Sequence, residues 1–276
     1  MTAAATPGRT DGAAPTPGRT DGEAPYEAHY ASLLAAHYTW MLGGDLEAAV
    51  TAQLDLLRGL GLPREEPGAG SFAIDLGSGP GPGALALARL GFTEVAAVDT
   101  SQELLDELLR HAANTPAAEA IRPVRDDIRA YPRTVASGSA EVVLCLGDTL
   151  PHLPHRSDVL ALLVEVSGML TRGGSFVATY REQEKVARGT DRFFSVRGTE
   201  DRILTCFLEY VDEDTVLVHD LLHTRDGAGW RLETSAYPKL RLTAGWLDEQ
   251  CAEVGLRVRH HETGPRGMRV LHAVKP

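Results

Sequence analysis

Apolar positions along this chain follow two interleaved rhythms up to about residue 180 and a third rhythm beyond it. Mainly apolar segments of strand length are read at 72–76, 94–98, 120–124, 141–146 and 174–180. Between them, 83–90, 101–112 and 157–170 carry apolar residues at helical spacing. This alternation predicts right-handed crossovers and a mostly parallel sheet. Gly173-Gly174 is read as ending the last of these helices and turning into the fifth strand.

Ahead of this block, 26–60 reads as two helices. Tyr30, Leu33, Leu34, His37, Tyr38 and Met41 share one helical face. Gly43-Gly44 breaks that helix, and Asp45 is placed to cap a second one carrying Leu46, Ala49, Val50, Leu54 and Leu57. A linker follows at 63–70. Beyond 190 the spacing becomes two. Ile203, Thr205 and Phe207 form one stripe, Val216, Val218 and Asp220 a second, and Leu232, Thr234 and Ala236 a third. Turn signals separate them at 212–214 and 226–229, so 193–242 is read as an antiparallel meander. A helix at 243–254, capped by Thr243 and closed by Gly255, leads to strands at 256–262 and 268–274. These last two join through Gly264-Pro265-Arg266-Gly267 and form a reversed hairpin. Residues 1–25 contain the near-repeat TPGRTDG twice, have little to bury and are expected to be disordered.

Composition narrows the function. The 276 residues carry a net charge of −11, and Lys is scarce, which argues against a nucleic-acid partner. No apolar run is long enough for a membrane span, and no secretory leader is read at the start. The three cysteines, Cys145, Cys206 and Cys251, have no metal-ligand spacing. They read as reduced core residues of a cytoplasmic protein. His219 and His223 lie on one face of a predicted strand with no third ligand, so no metal site is expected.

The chemistry gathers where the first strand ends. Asp75-Leu76-Gly77-Ser78-Gly79-Pro80-Gly81 is a strand end followed by a glycine-rich turn, and Asp99 ends the next strand. This unit builds a nucleotide-shaped pocket at the carboxyl ends of parallel strands. Asp99 is placed to accept both hydroxyls of a ribose. A dinucleotide site needs G-x-G-x-x-G, but Pro82 stands at the third glycine, and the terminal hairpin replaces a sixth parallel strand. S-adenosylmethionine brings an ammonium instead of a pyrophosphate, and the acid Asp75 beside the glycines suits it.

The segment from Asp75 to Gly81 resembles the first motif of class I S-adenosylmethionine-dependent methyltransferases. That resemblance implies a Rossmann-like, mostly parallel seven-stranded sheet with a terminal antiparallel hairpin, an N-terminal helical lid at 26–62 and a methyltransferase domain at 63–276. The antiparallel insertion at about 190–242 would shape the acceptor site. The cofactor set comprises Asp75, Gly77, Ser78, Gly79 and Asp99, with Thr100, Leu104 and Leu146 flanking them. In the family pattern an acid after the third strand accepts the adenine amino group. Asp127 with Ile128 matches best, Asp126 is the alternative, and a plain helix cap is the other reading. Tyr30, Tyr38 and Trp40 are placed to shield the sulfonium, or simply to pack their helix.

After the fourth strand, Cys145-Leu146-Gly147-Asp148-Thr149-Leu150-Pro151-His152 is similar to the corresponding segment of glycine/sarcosine N-methyltransferases. Asp148 stands where that group has Asn, and Thr149 where it has Ser. Four residues are the candidates for catalysis. His152 would act as base and Asp148 would orient an amine. Tyr180 and Arg181 would reach the same cavity, Arg181 suiting a carboxylate. The expected activity is methyl transfer by in-line displacement to nitrogen or oxygen of a small molecule, yielding S-adenosylhomocysteine. A cofactor-binding protein with another reaction, or a regulator, is the alternative. A homo-oligomer is compatible with every feature of the sequence.

Overall fold

The structure is a computed structural model that describes residues 37–113, 115–227, 229–264 and 267–276. The expected tail at 1–25, Tyr30 and the first part of the lid helix lie outside the described residues. α1 (Tyr38–Leu42) and α2 (Leu46–Gly59) are separated at Gly43-Gly44, and the Asp45 side chain accepts from Ala48 N–H to cap α2.

The central block then alternates as its rhythms predict: β1 (Phe72–Leu76), α3 (Pro82–Arg89), β2 (Glu94–Asp99), α4 (Gln102–Ala112), α5 (Ala117–Ala120), β3 (Ile121–Arg125), β4 (Ala140–Cys145), α6 (Arg156–Met169) and β5 (Leu170–Tyr180). After β6 to β9 come α7 (Ala244–Glu253), β10 (Arg257–Thr263) and β11 (Arg269–Val274). Seven strands form one sheet in the order β10-β11-β5-β4-β1-β2-β3, and β11 is antiparallel to both its neighbours. Strand order reverses between β1 and β4, which places the ligand crevice beyond their carboxyl ends. Pro123 is tolerated in β3 because β3 is an edge strand with no further partner. Two cores cover the sheet. Leu54, Leu57, Leu85, Leu87 and Leu108 pack on one face, and Leu163, Val166, Leu247 and Cys251 on the other.

The second sheet is the meander: β6 (Phe193–Gly198), β7 (Arg202–Tyr210), β8 (Thr215–Asp226) and β9 (Gly229–Leu240), paired in that order and all antiparallel. Three strands alternate with a period of two, but only the stripe of Val216, Val218 and Asp220 faces inward; Ile203 and Leu232 are exposed, and β7 buries Leu204, Cys206 and Leu208 instead. β6 has no such stripe, because Phe193, Phe194 and Val196 are all exposed. Pro238 again sits on an edge strand, β9.

Gly173-Gly174 does not end a helix. α6 stops at Met169 and passes straight into β5, where Leu170 pairs with Ala140 and pairing resumes at Ser175 with Val142. The glycines form the bulge between those pairs. Gly173 has φ +79°, and its N–H donates to Lys275 O at 2.8 Å. A Cβ on Gly174 would lie 2.9 Å from Thr171 O. Close backbone approach therefore selects these glycines, and a sequence pattern does not separate that from a helix stop.

Candidate active site

β1 and β2 deliver two carboxylates to the turn that follows β1. Gly77 N–H and Ser78 N–H both donate to Val98 O, at 2.8 and 2.9 Å, so the turn folds back over β2. Gly77 (φ +72°) has no room for a side chain, since a Cβ would lie 2.5 Å from Thr149 Cγ2. Asp99 ties the turn down. Its Oδ2 accepts from Gly79 N–H at 2.8 Å and its Oδ1 from Ser101 N–H at 2.9 Å. A carboxylate oxygen accepts from more than one direction, so closing the turn and binding a ribose are compatible tasks.

Asp75 lies beneath the turn, only 2% exposed. Ala84 N–H, in the first turn of α3, donates to it. A Cβ on Gly83 would sit 2.6 Å from its Oδ2. Burial pushes its carboxyl up to about 7 against the pull of Ala84 N–H, and the nearby Asp99 charge adds to the rise. Asp75 thus acts on the pocket through its charge and its support of α3, with its oxygens turned into the protein.

Tyr38 is the lid residue that reaches these loops. Its ring comes within 3.4 Å of the position a Gly79 Cβ would take, and its hydroxyl within 3.8 Å of that of Gly147. It therefore spans the turns after β1 and β4. Burial raises its hydroxyl pKa, and the charges of Asp99, Asp148 and Asp75 raise it further, so it stays a neutral donor. Trp40 turns to the other side. It packs with Met41 on Leu204 and Leu222 of the meander, and the Arg197 and Arg202 guanidinium carbons lie 5.6 and 5.0 Å from its ring centroid.

The remaining cofactor candidates are placed around the same crevice. Thr100 O accepts from Arg125 Nε at 3.3 Å, and Leu104 is buried in α4. Leu146 is buried beside the turn after β4. Asp127 follows β3 as expected, but its carboxylate is held within its own turn. Arg129 donates to it from N at 2.7 Å, from Nε at 3.0 and 2.9 Å, and from a terminal guanidinium nitrogen at 2.5 Å. Burial pushes the Asp127 pKa up, but the Arg129 hydrogen bonds outweigh it and hold the carboxyl below its usual range. Ile128 is buried in the core on the α6 side. Asp126 N–H donates to Asp99 O at 3.2 Å, joining this turn to β2.

A second group faces the crevice from the acceptor side. Asp148 has φ +75°, unusual for a residue with a side chain, and is 8% exposed. Its Oδ1 accepts from Arg181 N–H at 2.8 Å and its Oδ2 from Lys239 Nζ at 2.6 Å. Gly147 N–H donates to Thr179 Oγ1 at 2.8 Å, which fixes the same turn against β5. His152 stacks on Tyr237 with ring centroids 5.2 Å apart and planes 17° apart. Lys239 Nζ lies 5.5 Å from that tyrosine's centroid. Beside them, the Cys206 thiol donates to Asp220 Oδ1 at 2.6 Å, and Asp220 is 2% exposed. Burial and then Asp220 raise the Cys206 pKa, while Lys239 and Arg181 act on it in the opposite direction. The meander thus turns Asp220, Tyr237 and Lys239 inward, toward Asp148 and His152.

Tyr180 is not part of that group. The two-residue period of β5 sends Thr179 to the crevice and Tyr180 to the opposite face. There its hydroxyl meets His261 Nε2 at 2.8 Å, and His261 Nδ1 meets Asp248 Oδ1 at 2.5 Å. Lys239, Tyr237 and Asp220 were not singled out from sequence. The available signal was Asp220, a carboxylate in the apolar stripe of Val216 and Val218. Among the described residues no three His, Cys, Asp or Glu are grouped to hold a metal ion, and no helix is long and apolar enough to cross a membrane.

A seven-stranded sheet with one reversed strand, a glycine turn tied to an acid at the end of β2, and a crevice at the switch point define a class I methyltransferase fold. Residues 73–174 match the family model described as a methyltransferase domain. Over those residues the chain carries a methyltransferase domain. Comparison with curated protein sequences gave no match. Solved structures share the fold. The amino pentose methyltransferase CalS10 from Micromonospora echinaspora, solved with S-adenosylmethionine, superposes with a TM-score of 0.66 at 17% identity, covering 94% of this chain and 100% of that one. The CcbJ methyltransferase from Streptomyces caelestis gives 0.65 at 22%, covering 82% and 89%. The sugar N-methyltransferase KedS8 from Streptoalloteichus sp gives 0.60 at 17%, covering 97% and 98%.

The turn fits the cofactor on its own geometry. Among the described residues the Ser78 hydroxyl is buried with no hydrogen-bond partner, which is costly unless a ligand satisfies it. Gly77 and Gly79 leave the backbone open beside it.

Proposed function

We propose that this protein methylates an amine nitrogen of a small, hydroxyl-rich molecule, an amino sugar being the acceptor class the site suits. The carrying observation is the inward face of the meander, where Lys239 pairs with Asp148 and Tyr237 stacks on His152 across the crevice, with the buried Asp220 on the neighbouring strand. Bound S-adenosylmethionine supplies an electrophilic methyl on sulfur, and the chain supplies orientation, dryness and a place for the proton. Asp99 and the Gly77–Gly79 turn would hold the ribose and methionine parts.

Carboxylates at Asp148 and Asp220 draw an ammonium into the crevice. An ammonium has no lone pair, so it must lose a proton before attack. His152, stacked on Tyr237, is the imidazole placed to take that proton. Lys239 and the tyrosine hydroxyl provide donors for sugar hydroxyls. The structural relatives described as amino pentose and sugar N-methyltransferases support an acceptor of this class.

The test is S-adenosylhomocysteine release with a panel of amino sugars, their N-acetylated forms, and phenols. Turnover with free amines alone supports the proposal. Turnover with phenols alone assigns oxygen as the acceptor. Cofactor binding without any turnover across the panel would favour a non-methylating role.

A further inference from the structure

A second polar cavity lies away from the methyl-transfer crevice. It has a volume of about 470 Å³ and is lined by Arg64, Arg259, His260, His272 and the turn 59–61 after α2. Ligand pockets commonly span about 300–1,000 Å³. Its basic groups come from three separate elements, and the fold aims them deliberately. His260 and His272 are a directly opposed cross-strand pair on β10 and β11. The register slips between Val258 and His260, so Arg259 is the extra residue of a β-bulge. Bulges re-aim side chains, and this one brings Arg259 to the histidine pair. Arg64 reaches in from the linker, donating to Gly173 O at 3.4 Å.

The cluster is electrostatically one-sided. Among the described residues no carboxylate lines the cavity, in a chain of net charge −11. Among the described residues the side chains of Arg259 and His260 have neither ion pair nor hydrogen bond. His272 is 6% exposed and contacts Ser175 Oγ through Nε2 at 3.1 Å. Burial first, then Arg64, His260 and Arg259, push its pKa down to about 4. Arg64 and Arg259 thus bring two cationic guanidiniums to the cavity, and His272 adds a neutral imidazole that an anion would favour in its charged form. Two guanidinium forks suit a multiply charged, tetrahedral oxyanion better than a single carboxylate.

We propose that this cavity binds a phosphate-bearing small molecule, at a site separate from methyl transfer. The experiment is calorimetric titration of the whole protein with inorganic phosphate and pyrophosphate, with acetate at equal ionic strength as control. Pyrophosphate should bind saturably and acetate should not. Arg259→Gln and Arg64→Gln, both changes at exposed side chains, should each weaken pyrophosphate at least tenfold with the melting temperature unchanged. Saturating S-adenosylhomocysteine should leave that affinity intact, and the His272 pKa followed by NMR should rise when pyrophosphate is added. Absence of saturable binding, affinity unchanged in both arginine variants, or competition by S-adenosylhomocysteine would overturn the proposal. Competition would place the anion in the cofactor crevice, and the methyl-transfer reading is tested independently by the acceptor panel.

Discussion

Replacing Asp75 by asparagine should make the cofactor-free protein more stable at neutral and alkaline pH. In the folded chain burial pushes the Asp75 carboxyl from 3.8 to about 7. A shift of about three units corresponds to ~4 kcal/mol, at 1.36 kcal/mol per unit. That figure is net of the pull of Ala84 N–H at the start of α3, which favours the ionised form. The sign follows from proton binding. Between 3.8 and 7 the folded state holds a proton that the unfolded state has lost. The stability contributed by neutral Asp75 is therefore fully present below 3.8 and lost as pH rises through 7. Asparagine mimics the neutral acid at every pH and escapes this loss.

The measurement is thermal melting of both proteins without cofactor, from pH 4 to pH 8. Other titrating groups cancel in the difference between variant and parent. At roughly 2–4 °C per kcal/mol for a chain of this size, the variant's lead should widen by about 8–16 °C across that range and flatten above pH 7. A lead that does not change with pH would refute a buried, proton-holding Asp75. The functional counterpart has the opposite sign. A cation beside the turn favours ionised Asp75, so cofactor binding at pH 6.5 should release protons, seen as a buffer-dependent binding enthalpy. Asp75→Asn should lose that release and bind about tenfold more weakly.

Three further outcomes follow from the same geometry. Asp99→Ala removes the acceptor for Gly79 and Ser101 N–H as well as the ribose partner, so calorimetry should show cofactor affinity down by at least a hundredfold. Lys239→Met strands the Asp148 carboxylate and should destabilise the fold by ~3 kcal/mol in denaturant melts. The double variant with Asp148→Asn should recover most of that stability, and its failure to do so would show the two are not energetically paired. His152→Gln should lower turnover at least tenfold while S-adenosylhomocysteine affinity stays within twofold, and unchanged turnover would remove His152 from proton transfer.

The parallel block was legible because strand and helix rhythms differ there at every step, and Asp45 and Thr243 cap their helices as their positions suggest. Gly173-Gly174 misled because a helix stop and a strand bulge ask for the same residue. β6 left no trace because its apolar residues face solvent on both sides. The cofactor turn was readable since its chemistry is local in sequence. The acceptor group was not. Lys239 lies 91 residues from Asp148, and a lysine alternating with apolar residues in a strand reads as a solvent face. Only the packing of one sheet against the other's loops turns it inward. Helical spacing put Tyr38 and Trp40 on different faces, but did not say which face meets the cofactor turns and which the meander.

That division between Tyr38 and Trp40 explains how two separate sheets make one reaction chamber. A five-residue helix does not hold itself together in water, so the position of α1 is set by what it touches. Tyr38 lies on the turns after β1 and β4, the Thr39 hydroxyl donates to Glu107 of α4, and Trp40 and Met41 rest on Leu204 and Leu222. One short element therefore grips the cofactor turns, a helix of the parallel block and the roof of the acceptor site. Its grip is not fully satisfied, because among the described residues the Trp40 Nε1 is buried without a hydrogen-bond partner. An unmet buried donor costs about 1–3 kcal/mol, so α1 leaves this position more cheaply than its packing alone implies. A strap with that property suits an enzyme that must open for a cofactor and then shut water out. Because one helix carries both contacts, Tyr38 on the turns and Trp40 on the meander are held at a fixed spacing to each other.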